Sequence, residues 1–246
     1  MSVAHQVLVR LRSLQAAGVE WLPKADPIRI ERPVQISSIS PIAPVDPLSE
    51  RRTALGQLRS EVERCDKCPE LFSTRTQTVF GVGPVNPDLC LIGEAPGAEE
   101  DKQGEPFVGP AGQLLTKIIA ASGFRREDVA IINTLKCRPP RNATPTDQQC
   151  ANCRPFLDRQ LAILQPKVIA CLGGVAAKNL LGVSTGITRL RGQWQEYRGT
   201  PVICTYHPSY LKRLEGTDGE RKAKGECWDD FKAIVARLGR SLPGQG

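Results

Sequence analysis

Four short apolar runs separated by helical stretches constrain this chain more than any other feature. Leu89–Gly93, Val129–Asn133, Val168–Leu172 and Val202–Thr205 are each bounded by polar or glycine-rich residues and read as buried strands. Between them, Gly112–Ser122, Thr146–Leu164 (capped by Thr146 or Asp147) and Val175–Leu181 have helical spacing, and Trp228–Leu238 closes as a helix. Strands alternating with helices imply right-handed βαβ crossovers. The expected fold is therefore a three-layer α/β/α domain around a central, mainly parallel four-stranded sheet. At 246 residues and 40 % hydrophobic content the chain can bury one sizeable core.

What precedes the sheet differs in character. Residues 1–18 suit one amphipathic helix, with Val3, Val7, Leu11 and Leu14 on one face. From Trp21 to Glu50, prolines at 23, 27, 33, 41, 44 and 47 break any helix or central strand, so the stretch reads as an extended linker. The expected organisation is an N-terminal extension over 1–50, a folded domain over 51–240 opening with a helix capped by Thr53, and a tail over 241–246. The extension is a tether or a docking segment for a protein partner, and the tether is the simpler reading.

No run approaches the ~20 apolar residues that span a bilayer. The segment MSVAHQVLVRLRSLQAAG places arginines among its apolar positions, unlike a signal peptide. A cytoplasmic location follows as the expectation. Nine cysteines, an odd number, then point to metal binding or plain burial rather than structural disulfides.

Cys65-x-x-Cys68 is a compact chelating pair. A second pair, Cys150-x-x-Cys153, suggests a zinc ribbon, but the 81 residues between the pairs far exceed the ~15–20 usual for one. Cys137 precedes Arg138-Pro139-Pro140, a turn expected to hold its thiolate at the surface. Cys90, Cys171 and Cys204 lie within apolar strands and read as buried, while Cys227 opens the last helix without an assigned role. Spacing favours metal binding through Cys65 and Cys68 and leaves the metal and its other ligands open.

In a parallel sheet the site lies beyond the carboxyl ends of the strands. The loops leaving those ends are Glu94–Asp101, Thr134–Thr144, Gly173–Gly174 and Tyr206–Arg213. Glu94 exits the first strand in a turn, Gly93-Glu94-Ala95-Pro96-Gly97, that lets a ligand approach the backbone. Glu99, Glu100 and Asp101 read more simply as acids favouring a helix N-terminus. Phe107 sits in a second glycine-rich loop, as a core plug or as a platform for a base. Asn133 ends a strand, where its amide can read a base edge or bond its own turn. The chain has two histidines, and only His207 is placed at the active edge. Ser209, Lys212 and Arg213 beside it offer phosphate contacts, and Leu211 offers a wedge into a duplex. The excess of 33 basic over 26 acidic residues, a net charge of +7, suits a polyanion.

GEAPGAEED, GEPFVGPAGQLL, INTLKCRPP and HPSYLKR, in that order with Cys65 and Cys68 upstream, resemble the family 4 uracil-DNA glycosylases from about Leu58 to Leu238. The resemblance implies a [4Fe–4S] cluster on Cys65, Cys68, Cys137 and Cys153, which sets Cys150 aside. It implies a uracil pocket formed by Glu94, Ala95, Phe107, Asn133 and His207, with Phe107 stacking on the base. Glu94 and His207 would be catalytic, and Ser209, Leu211, Lys212 and Arg213 would contact DNA. The activity implied is flipping of uracil from single- or double-stranded DNA and hydrolysis of its glycosidic bond by a monomer, without a lyase step. A cousin group that attacks the sugar with a histidine after the Asn-bearing strand has no counterpart here, because that position reads CRPPRNATP. Two readings compete. One is an iron–sulfur DNA-binding accessory protein that releases no base. The other is a nucleotide binder using Gly173-Gly174 or Gly81-x-Gly83, neither of which makes a phosphate loop.

Overall fold

The computed structural model describes residues 3–19 and 46–244. The chain divides into two units, Met1–Pro44 and Val45–Gly246. In the first, α1 (Val3–Ala16) is the expected amphipathic helix. The proline-rich stretch expected as a linker lies, up to residue 45, outside the described residues.

The second unit begins earlier than Arg51. Helix α2 (Pro47–Glu63) starts at a proline whose fixed φ suits the first helical position, and the Asp46 side chain accepts from the Leu48 N–H at 3.1 Å. Thr53 is therefore not the cap; it lies inside the helix and donates to the Ser49 carbonyl. The short α3 (Pro69–Phe72) follows.

The sheet has five strands rather than four, in the order β2-β1-β3-β5-β4. Strands β1 (Leu89–Gly93), β2 (Ala130–Asn133), β3 (Val168–Leu172) and β5 (Thr200–Thr205) are parallel. The added strand, β4 (Trp194–Tyr197), is antiparallel to β5 and joined to it by Arg198-Gly199, both at positive φ. That two-residue turn matches the twist of a hairpin. Half-exposed β4 has no apolar run, which hid it among loop residues.

Alternate strand residues fill two cores. Leu89, Leu91, Val168, Ala170 and Ile203 face one side, with α5 (Pro110–Ala121) and α10 (Glu220–Arg237) packed over them. Cys90, Ile92, Ile169, Cys171, Val202 and Cys204 face the other, under α6 (Asp147–Leu164) and α7 (Gly174–Leu181). The three strand cysteines are buried, as their sequence context implied. Each fully buried Leu or Ile contributes about 1.5–3 kcal/mol, so this period-2 division fixes the register. Thr146 caps α6 through a reciprocal pair with Gln149. Helix α10 starts at Glu220, well before Trp228, because its first turns are polar and carry no apolar signal. Cys227 is consequently inside the helix, 2 % exposed.

Candidate functional site

The register aligns the carboxyl ends of the strands. Gly93 pairs with Asn133, and Leu172 with Thr205. Glu94, Gly173 and His207 therefore leave the sheet side by side at the point where its order reverses across β1 and β3. The cleft there has a volume of about 940 Å³ and is lined by Glu94, Ala95, Phe107, Asn133 and His207 together. All four expected loops contribute, although two of them carry helices, α4 (Ala98–Gln103) and α9 (Pro208–Arg213).

His207 is fixed by its neighbours. Its Nδ1 accepts the Ser209 backbone N–H at 3.1 Å and lies 2.8 Å from the Ser209 hydroxyl. With Nδ1 accepting, the neutral ring carries its proton on Nε2. Burial, with help from the nearby Arg213 guanidinium, pushes the His207 pKa down to about 4, so the ring is neutral at pH 7. Gly173, at φ +93, makes room for it: a Cβ there would lie 3.0 Å from the His207 Cβ. Burial also raises the Glu94 pKa above its ordinary value, opposed in part by Arg213.

Asn133 is 2 % exposed, and its Oδ1 has no hydrogen-bond partner. A buried acceptor without a donor costs about 1–3 kcal/mol unless a ligand supplies one. Phe107 is 6 % exposed, its ring centroid 5.6 Å from that of His207 and tilted by 34°. Gly93 and Gly112 give the ring and its backbone their space. A Cβ on Gly93 would fall 2.3 Å from Asn133 Oδ1, and one on Gly112 would fall 1.9 Å from the Phe107 carbonyl oxygen.

The residues expected to contact DNA separate in the structure. Ser209 and Arg213 line the cleft. Lys212 points elsewhere and pairs with Glu215 at 2.6 Å. Leu211, expected as a wedge, is 1 % exposed: α9 turns it into the core, where it packs among apolar side chains. The exposed ring on α9 is Tyr210, 37 % exposed at the cleft and 4.9 Å from the Tyr206 ring. Reading HPSYLKR as a loop obscured this, because the side Leu211 faces depends on the helix.

Glu100 and Asp101 do more than favour a helix N-terminus. Asp101, 2 % exposed, accepts the Thr76 N–H with both oxygens, at 3.0 and 3.1 Å. Its neighbour Arg75 donates to the Cys65 carbonyl at 2.9 Å and to Cys137 Sγ at 3.1 Å. These partners lie far apart in sequence, so spacing gave no sign of them.

Cys65, Cys68, Cys137 and Cys153 line one small cavity with Lys136 and Asn152. Cys150 lies outside it, buried against Leu71 and Leu135. Cys137 lines this cavity rather than presenting its thiol at the surface, and burial raises its pKa. Burial pushes the Cys153 thiol up to about 12 and the fully buried Lys136 ammonium down to about 8. Asn152 Nδ2 approaches Cys68 Sγ at 3.4 Å. Among the described residues, no three metal-ligand side chains are drawn together as for a single ion. Four thiols around one cavity, with N–H donors on the sulfurs of Cys68 and Cys137, suit a cluster, which spreads its ligands wider than an ion does.

Taken together, the molecule is an open α/β protein whose cleft at the sheet's reversal point brings Glu94, Phe107, Asn133 and His207 together. It belongs to the uracil DNA glycosylase superfamily, whose family model matches residues 80–232, and within it to the type-4 branch. It is 47 % identical over 173 residues to the type-4 uracil-DNA glycosylase of Thermotoga maritima, covering 69 % of this chain and 90 % of that protein. The type-4 uracil-DNA glycosylase of Archaeoglobus fulgidus is 41 % identical over 201 residues, 77 % of this chain and 96 % of that one. A type-5 uracil-DNA glycosylase of Pyrobaculum aerophilum is 28 % identical over 180 residues, covering 60 % of this chain and 79 % of that protein. Among the described residues, no helix is long and apolar enough to cross a membrane.

Proposed function

We propose that this protein flips uracil out of DNA and hydrolyses its N-glycosidic bond, leaving an abasic site. The observation that carries the reading is the orphan acceptor Asn133 Oδ1 in the cleft. Uracil presents an N–H at N3, where cytosine presents a lone pair, so an acceptor there selects the deaminated base.

Phe107 stacks on the base, Asn133 reads its edge and Ala95 leaves room beside it. The N1–C1′ bond breaks with its electron pair departing on the base. The Nε2–H of neutral His207 donates to O2 and stabilises the anion; such donors contribute ~2.7–4 kcal/mol to a transition state. The Glu94 carboxylate offsets the charge of the oxocarbenium-like sugar and orients water for addition to C1′. The water's proton finally neutralises the uracil anion. Among the described residues lining the cleft there is no lysine to attack the sugar, so the reaction stops at hydrolysis. Ser209, Arg213 and the nearby Lys212 bind DNA phosphates; residues 1–50 serve as a tether or contact a protein partner.

Cys65, Cys68, Cys137 and Cys153 would hold a [4Fe–4S] cluster, which when bound would tie their segments together as a structural group. The enzyme acts as a cytoplasmic monomer. The test is incubation of iron- and sulfide-loaded protein with uracil-containing single- and double-stranded oligonucleotides, scored for abasic sites. Excision is the expected result. DNA binding without base release from either substrate would favour the accessory-protein reading instead.

A further inference from the structure

Glu100 takes no chemical step in that reaction, yet it joins the two loops that build the pocket. Its Oε1 accepts the backbone N–H groups of Val108 and Gly109, each at 3.0 Å, and its Oε2 accepts the N–H of Gly97 at 3.1 Å. A carboxylate has lone pairs for all three donors, whereas an amide of the same length has a single acceptor oxygen.

What this clasp holds is strained. Phe107 directly precedes Val108 and has φ +54, a region that a bulky residue keeps only when its surroundings force it. From the other side, Arg126 Nη2 donates to the carbonyls of Pro106 at 2.7 Å and Phe107 at 3.1 Å. The Phe107 backbone is thus pinned on both flanks. Without the Glu100 side of the grip, relaxation of φ would swing the ring away from its place 5.6 Å from the His207 ring.

We propose that Glu100 is a positioning residue: its carboxylate holds Phe107 in a strained conformation that presents the ring to the base. This rests on the uracil-excision reading. The sequence alone suggested for Glu100 only a favourable place at a helix N-terminus; that accounts for the capping bond to Gly97 but not for the bonds to Val108 and Gly109.

The test compares Glu100→Gln and Glu100→Ala with the parent, each loaded with iron and sulfide. Amide hydrogen exchange at Phe107, Val108 and Gly109 should quicken at least tenfold in both variants. The single-turnover excision rate should fall ~10- to 100-fold, the cost of moving a pocket group by about an ångström. The dissociation constant for DNA should change far less, because the phosphate contacts are untouched. An unchanged exchange pattern, or a rate within twofold of the parent in folded Glu100→Gln, overturns the proposal. A parent that releases no uracil refutes the excision reading instead, while the exchange measurement still reports on the clasp.

Discussion

In the cleft and the cysteine cavity alike burial favours uncharged forms, but the two differ in what the fold already supplies. At the cleft, His207 is neutral with Nδ1 accepting the Ser209 N–H, and the Glu100 carboxylate accepts three backbone N–H groups. Asn133 Oδ1 is left to a ligand. At the cavity, burial drives three groups toward their uncharged forms: the thiols of Cys137 and Cys153 upward, and Lys136 down to about 8. A thiol must lose its proton to ligate a metal, so that corner is unfavourable until a cation arrives. The fold supplies most partners of the first region; the proposed cluster would supply what the second lacks.

The contrast is tested most severely by replacing Cys65 and Cys68 with alanine together. Iron and sulfide should be lost, along with at least ~4 kcal/mol of stability, well inside the ~10–16 kcal/mol that a structural zinc site can supply. Calorimetry and metal analysis would read both, and a melting temperature within a few degrees of the parent would erase the distinction. A smaller and opposite pattern is expected for His207→Ala. Its excision rate should drop ~10²- to 10³-fold while the melting temperature moves little; a large thermal shift with a normal rate would make the cleft the structural region.

Acidification sharpens the comparison at finer grain. Glu94, held above its ordinary value by burial, loses its charge before His207 gains one at about pH 4. The acid limb of the rate profile should therefore belong to Glu94 and disappear in Glu94→Gln, whose residual rate should be flat across that range. Stability follows His207 separately. The folded ring stays neutral down to about 4, whereas the unfolded one protonates below its usual 6.5. The unfolded chain thus binds more protons in that window, and stability falls as pH drops through it. Urea midpoints of the parent and His207→Ala between those pH values would reveal the difference.

How legible each part was depended on how local its cause is. Strands β1 and β3 could be read to the residue because both faces are buried, which leaves a continuous apolar run. The cap of α6 could be read because Thr146 and Gln149 are three residues apart. Strand β4 could not, since one half-covered face gives no run; the Arg198-Gly199 turn was its one signal. The cleft's lining was visible as loops at strand ends, whereas Glu100 and Asp101 were not, because their partners sit on other loops. Leu211 shows the converse: its neighbours suggested exposure, and a turn of helix buried it.

The margins of the sheet carry a last consequence. Beyond β5, the hairpin strand β4 occupies the backbone groups that would otherwise face water. On the far side, Val82 pairs with Ile131 in both directions and Val79 donates to the Lys136 carbonyl, so the outer edge of β2 is covered as well. That cover is anchored through Thr76 and Arg75 to Asp101 and the cysteine segment. Loosening the cysteine segment therefore uncovers a strand edge, and an uncovered edge is a template for another chain. The hazard built into the cysteine corner is therefore self-association should that segment loosen.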